Sequence, residues 1–203
     1  SRKLLAANPV PRVHLMELRD PGTASDCYSV GFSQIAAGAE MTRHLLDKGY
    51  RRIAFCGAQL DARVMQRLEG YRQVLKQAGL YDQSLEILSP ERSSLALGAR
   101  QFETLLKARN TVDAIFFCND DIAQGALLEA NRMGVKVPEQ VAIAGFNDLP
   151  GSDQMVPPLT TIHTPRDEVG RKAASMLLQL LAGDTVREAS VDLGFRLVPR
   201  AST

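Results

Sequence analysis

Short apolar runs alternate along the chain with longer stretches whose apolar residues recur every three or four positions. The runs "PRVHLM" (11–16), "RRIAFCG" (51–57), "LEILS" (85–89), "VDAIFFCN" (112–119), residues 141–146 and "SVDLGFRLVP" (190–199) read as strands. Between them lie helical stripes. Ile35, Ala39, Thr42 and Leu45-Leu46 predict a helix over 34–49 stopped by Gly49. Val64, Leu68, Tyr71 and Leu75 predict a second, capped by Asp61 and closed by Gly79. Phe102, Leu105 and Leu106 mark a third, capped by Ser93 or Ser94. Ile122, Ala123, Ala126, Leu127 and Ala130 mark a fourth, closed by Gly134. A fifth, 165–182, buries Val169, Ala173, Met176-Leu177 and Leu180-Leu181, with Thr164 as its cap, Pro165 in its first turn and Gly183 as its stop.

Strand–helix alternation of this kind predicts an α/β protein with parallel sheets covered on both faces. Ligands then bind where strands end at their carboxyl side. Three segments sit at such ends: "CGAQLDARVMQR", "CNDD" and "GFNDLPGSD". The opening "SRKLLAANPVPRV" reads as the tail of a helix entering a strand, which predicts that the chain begins in mid-fold.

Composition narrows the partners. A formal net charge of +1 with no basic block makes the chain a poor nucleic-acid binder by itself. Cys27, Cys56 and Cys118 are an odd number without metal-ligand spacing, and two of them lie inside apolar runs, as buried thiols do in a reducing compartment. No apolar run reaches about 18 residues, so no membrane span is expected. No nucleophile elbow, P-loop or dinucleotide fingerprint is present, and the chain is expected not to be an enzyme.

At the strand ends, Asp120 and Asp121 read as the start of a helix, Asp121 with Gln124 forming a capping box. Asn119, one step earlier, is placed to clamp a ligand with two donors and an acceptor. Arg63 and Arg67 are four apart and share a helical face. Two guanidinium groups there can hold hydroxyls or a carboxylate, or can be solvated surface charges. As a cleft residue, Arg67 is expected to be replaceable by alanine with little effect on folding. Asn147 and Asp148 end the next strand, as ligand groups or as a turn.

The segments "HLLDKGYRRIAFCGA", "RLEGYRQVLKQAGL", "DAIFFCNDDIAQGALLEANRMGVKVPEQVAIAGFND" and "PPLTTIHTPRDEVGRKAASMLLQLLAG" resemble, in order and spacing, the effector-binding region of the lactose-repressor (LacI/GalR) family of bacterial transcription regulators. "GAQLDAR", "CNDD", "AIAGF" and "DLGF" resemble the gluconate-utilisation subgroup. The resemblance implies a periplasmic-binding-protein-like fold with two doubly wound parallel-sheet lobes, the N-terminal one incomplete. The C-terminal lobe would span 33–160 and be completed by 189–203. The partial N-terminal lobe would span 1–32 and be completed by the helix region 163–188. The family's helix-turn-helix is not in this sequence. Carried over, its effector-contacting arginine falls on Arg67 and its strand-end asparagine on Asn119. Asn147 stands where the family commonly has aspartate. Phe32 and Ser93 fall on pocket positions, and Glu17 on a further one. An asparagine at 147 can donate to an anion that an aspartate would repel, and with Arg63 nearby this favours a sugar acid.

The expectation is therefore an effector-sensing domain of a cytoplasmic repressor, with no cofactor and no metal. It would bind gluconate or a related sugar acid between its lobes and act as a homodimer that reaches operator DNA through another domain. Hinge closure would carry the signal. Two rivals share the pattern: a periplasmic solute-binding protein, and a metal-dependent α/β enzyme using Asp120, Asp121 and Asp148.

Overall fold

The structure, a computed structural model, describes residues 10–18, 28–108 and 112–203. Cys27 and the expected helix tail before residue 10 lie outside them. The elements are β1 (Val13–Leu15), β2 (Tyr28–Gly31), α1 (Gln34–Asp47), β3 (Ile53–Gly57), α2 (Ala62–Gln77), β4 (Glu86–Leu88), α3 (Leu95–Lys107), β5 (Ala114–Phe117), α4 (Asp120–Met133), β6 (Ala142–Ala144), β7 (Thr161–His163), α5 (Arg166–Leu181), β8 (Ser190–Asp192) and β9 (Arg196–Val198). They divide into two units. The described residues up to Ser33 join Pro165–Gly194 in the first, and Gln34–Thr164 join Phe195–Thr203 in the second.

The first unit is a parallel sheet ordered β1-β2-β8. Its core is Val30 and Val191 from the sheet with Val169, Ala173 and Met176 from α5, the apolar stripe expected of that helix. The second unit is a parallel sheet ordered β4-β3-β5-β6. Every residue of β3 and β5 is buried, which is why both read as unbroken apolar runs rather than alternating ones. Right-handed crossovers put α2 on one face and α3 and α4 on the other. α1 packs along α2, and α3 along α4. Beyond β6, single bridges from Ala144 to Thr160 and from Asn147 to His163 bring in β7, which pairs antiparallel with β9.

The single final strand expected over 190–199 is two strands. Leu193 bonds back to Gly31, and Gly194 turns at φ +67°. β8 then belongs to the first unit and β9 to the second, so 189–203 does not complete one lobe as a block. An apolar count alone cannot detect this break, because both halves carry strand residues. The helix caps follow the side chains more closely. Asp61 accepts from the amides of Arg63 and Val64, Ser94 accepts from Leu97, and Gly134 closes α4 in the left-handed conformation. α5 departs: its N-cap is Pro165, with no side-chain cap, and Thr164 donates instead to the Asn147 carbonyl at 3.3 Å.

Glycines inside the helices were silent in the apolar pattern, yet they set both helix pairs. A Cβ on Gly38 of α1 would stand 2.3 Å from the Arg67 carbonyl oxygen on α2, and one on Gly70 of α2 would stand 2.1 Å from that of Ile35. The same reciprocal approach joins Gly98 of α3 to Ile122 at 1.9 Å and Gly125 of α4 to Leu95 at 2.1 Å. Backbone meets backbone at each crossing, where no side chain can yield. Replacing Gly98 by alanine should gain up to about 1 kcal/mol of helix propensity. It should lose more through forced separation of the helices, for a net destabilisation of about 1–3 kcal/mol in urea melts.

Candidate ligand-binding site

Three neighbouring strands of the second unit deliver polar residues at their carboxyl ends. After β3 the chain turns through Gln59 and Leu60, both at positive φ (62° and 49°), into the Asp61 cap of α2. After β5 come Cys118 and Asn119. Past β6, Phe146 leads into Asn147 and Asp148, at φ +117° and +53°. Left-handed non-glycine residues cost free energy and persist where surrounding bonds hold them. Here the Asn147 amide donates to the Ile162 carbonyl, and the Asp148 amide donates to Thr161 Oγ1.

Arg67 is the centre of the arrangement. Only 6% exposed, it is buried rather than lining an open surface. Its Nε donates to Gln34 Oε1 at 2.7 Å and its Nη1 to the Cys118 carbonyl at 2.6 Å, while the guanidinium carbon lies 3.8 Å from the centre of the Phe146 ring. Burial pulls its pKa down to about 10, so it stays charged at neutral pH. Among the described residues no carboxylate lies within ion-pair distance, and Nη2 has no hydrogen-bond partner. The expectation that its loss would spare folding does not hold. Arg67→Ala strips a donor from the buried Gln34 side chain and from the Cys118 carbonyl, so urea melts should show a stability loss of about 1–3 kcal/mol.

The helix cap falls on Asn119 rather than on either aspartate. Asn119 itself caps α4: its Oδ1 accepts from the Ile122 amide at 3.2 Å. Its Nδ2 donates to Ser93 Oγ at 2.6 Å, and Ser93 donates onward to Gln59 Oε1 at 3.2 Å. Asp120 is the first helical residue, fully buried, and its carboxylate accepts from the Leu149 amide, the Ser152 hydroxyl and the Thr161 hydroxyl. Burial raises its pKa against the opposing pull of those donors. Asp121 is exposed in the first turn, where the helix dipole favours it. No capping box forms, because Asn119 rather than Asp121 is the cap; Gln124 donates to Ser152.

The other expected residues are spread more widely. Arg63 is half-exposed and pairs with Asp61 at 3.1 Å. Asn147 is partly exposed, and its side-chain amide makes no hydrogen bond to a described residue. Phe32 is fully buried and belongs to the first unit, as does Glu17, whose carboxylate is 3.4 Å from His14. The second unit thus brings together Arg67, Asn119, Ser93 and Asn147 at adjacent strand ends. Gln34, Gln59 and Phe146 complete that set and were not singled out in the sequence. The order "GFND" alone hinted at Phe146, since the last apolar residue before a polar strand end has to face something.

Asp120, Asp121 and Asp148 do not form a metal site. Asp120 is saturated by three donors, and Asp148 is held by Arg200 (2.8 Å) and His163 (3.0 Å). The described residues contain no group of three His, Cys, Asp or Glu side chains arranged to hold a metal ion. Nor is any helix among them long and apolar enough to cross a membrane.

Residues 42–203 match the family described as periplasmic binding protein-like domain. An "HTH-type transcriptional regulator GntR" of Pseudomonas aeruginosa is 54% identical over 203 residues, covering all of this chain and 58% of the relative. The protein of that name from Escherichia coli K12 is 35% identical over 202 residues, covering 98% of this chain and 59% of the relative. The chain thus spans somewhat over half the length of these curated relatives. The crystal structure of transcription regulator GntR from Chromobacterium violaceum superposes with a TM-score of 0.92 at 49% identity, covering 99% of this chain and 73% of that one. The fold is that of a periplasmic-binding-protein-like domain. Within that class the chain belongs to the LacI/GalR family, as a GntR-like effector-binding domain.

Asp148 supplies a test by pH. Burial alone would raise its carboxyl pKa, but Arg200 and His163 hold it below the ordinary 3.8. Its folded value is depressed, so its contribution to stability is complete above the unfolded value and drains away as pH falls through the folded one. Urea melts from about pH 6 to about pH 2 should show this loss in the wild type and a shallower acid slope in Asp148→Asn.

Proposed function

We propose that this domain binds a small sugar acid, gluconate or a close relative, as the effector of a cytoplasmic, dimeric transcription repressor whose operator contacts lie outside this chain. One observation supports the anion: Arg67 is a buried guanidinium with no carboxylate in ion-pair contact among the described residues and with one nitrogen unbonded, Asp61 and Asp120 acting on it only from farther away. An unpaired buried charge is costly, and two neutral acceptors with one aromatic face offset only part of that. A ligand carboxylate supplies the missing charge through bonds worth about 1.5–3 kcal/mol each. Asn147 keeps an unengaged amide at the neighbouring strand end, able to donate to the anion or to accept from its hydroxyls. Ser93 and Asn119 add hydroxyl-binding groups, and Arg63 a second positive charge.

The relatives' names as transcription regulators support a non-catalytic sensing role over transport or metal chemistry. Ligand binding that favours one conformation of the whole protein would then shift its operator affinity. The chain itself, at +1 formal charge, contributes little to phosphate binding.

In a thermal-shift series, gluconate should raise the melting temperature and glucose should not. At about 100 times its dissociation constant, gluconate should add about 2.7 kcal/mol of stability. Stabilisation by the neutral hexose alone would remove the case for an anion. In Arg67→Met, which keeps the volume, the gluconate shift should vanish. A retained shift there would take the site away from this arginine.

A further inference from the structure

Each candidate site asparagine is followed at once by an aspartate, and both aspartates reach the same strand. Asn119 precedes Asp120, whose Oδ1 accepts from the Thr161 hydroxyl at 2.7 Å. Asn147 precedes Asp148, whose Oδ2 lies 3.0 Å from His163 Nδ1. Thr161 and His163 are the first and last residues of β7, two apart and so on one face of that strand. A crossed set of bonds joins the two aspartates. Asp120 Oδ2 accepts from the amide of Leu149, next to Asp148, and the Asp148 amide donates to Thr161 Oγ1, the hydroxyl that serves Asp120. Asp148 Oδ1 also accepts from Arg200, just beyond β9, the partner of β7. The backbone at Asn147 and Asp148 is held at positive φ within this lattice.

We propose that the Asp120–Thr161 and Asp148–His163 pairs are a two-point coupling that reports occupancy of the strand-end site to β7. The proposal rests on the reading of Asn119 and Asn147 as ligand residues. β7 is a meaningful receiver, because the chain runs from it through Thr164 directly into Pro165, where the sequence passes to the second stretch of the other unit. A ligand that draws on either asparagine shifts a backbone segment whose next side chain is bonded to β7. Neither aspartate needs to touch the ligand. Their arrangement also explains why the turn after β6 is not a loose loop: it is bonded through one carboxylate to the start of α4 and through the other to β7 and to Arg200 just beyond β9.

Amide hydrogen exchange tests the coupling with and without ligand. In the ligand-free chain, Asp148→Asn and Thr161→Val should each speed exchange at residues 161–163 by roughly tenfold, as expected for loss of one charge-assisted bond. Amides of β3 and β5 should keep their wild-type rates. Unchanged β7 exchange in both variants overturns the coupling, whatever the ligand proves to be. With gluconate added, wild-type β7 amides should slow. The same variants should still bind gluconate by calorimetry while losing that slowing. Full slowing in the variants also overturns it. If gluconate shows no calorimetric binding to the wild type, the sugar-acid reading fails on its own, and the ligand-free comparison still decides the coupling. Thr161→Val is included because it leaves both carboxylates in place, so a folding defect in Asp148→Asn does not stop the test.

Discussion

A single buried positive charge organises the second unit's strand ends. Arg67, on α2, bonds the carbonyl that follows β5 and covers the ring that follows β6. Three chain segments far apart in sequence are thereby held to one guanidinium. Its bond to Gln34, the first residue of α1, ties in a fourth. Arginine suits this position better than lysine, because a planar fork reaches several acceptors at once and stacks on an aromatic face. The same commitment leaves it short of one acceptor and one negative charge. The residue that holds these segments together is thus also the one on which the proposed preference for an anion rests.

The layers of the fold were legible because they follow from short-range rules. Parallel strands covered on both faces produce unbroken apolar runs such as "IAFCG" and "AIFF", and helices between them keep a one-sided stripe. What escaped notice depends on backbone position rather than residue type. In "CNDD" three successive side chains are all able to cap a helix, and the winner is the one at which extended backbone ends. That residue is Asn119, with φ near −156°. A shift of one position moved Asp120 from helix cap to buried acceptor, and changed its partners from local amides to residues about thirty and forty positions away. Likewise, "SVDLGFRLVP" shows no apolar interruption, although Leu193 and Gly194 end one strand before another begins.

The candidate site was legible in part. Arg67, Asn119, Ser93 and Asn147 were singled out through strand ends and family resemblance, while the residues bonded to them were not. Gln34 looked like the unremarkable start of a helix, and Gln59 like loop filler. Both are acceptors that fix the direction of a donor, a role that depends on where distant segments meet and leaves no periodic trace. Arg67 was left open between ligand clamp and surface charge by its spacing, which reports the face of a helix but not how deeply that face lies.

The glycine crossings have a consequence for how such a domain can change over time. Helix spacing in both pairs is set at the crossing by main chain touching main chain rather than by side chains. Strand ends mounted between those pairs inherit a frame whose dimensions are independent of their own composition. New residues at positions such as Ser93 or Asn147 then alter the polar groups presented at the strand ends without resizing the frame around them. A scaffold of this kind can vary its strand ends one residue at a time, and the four glycines are the positions at which it has no such freedom.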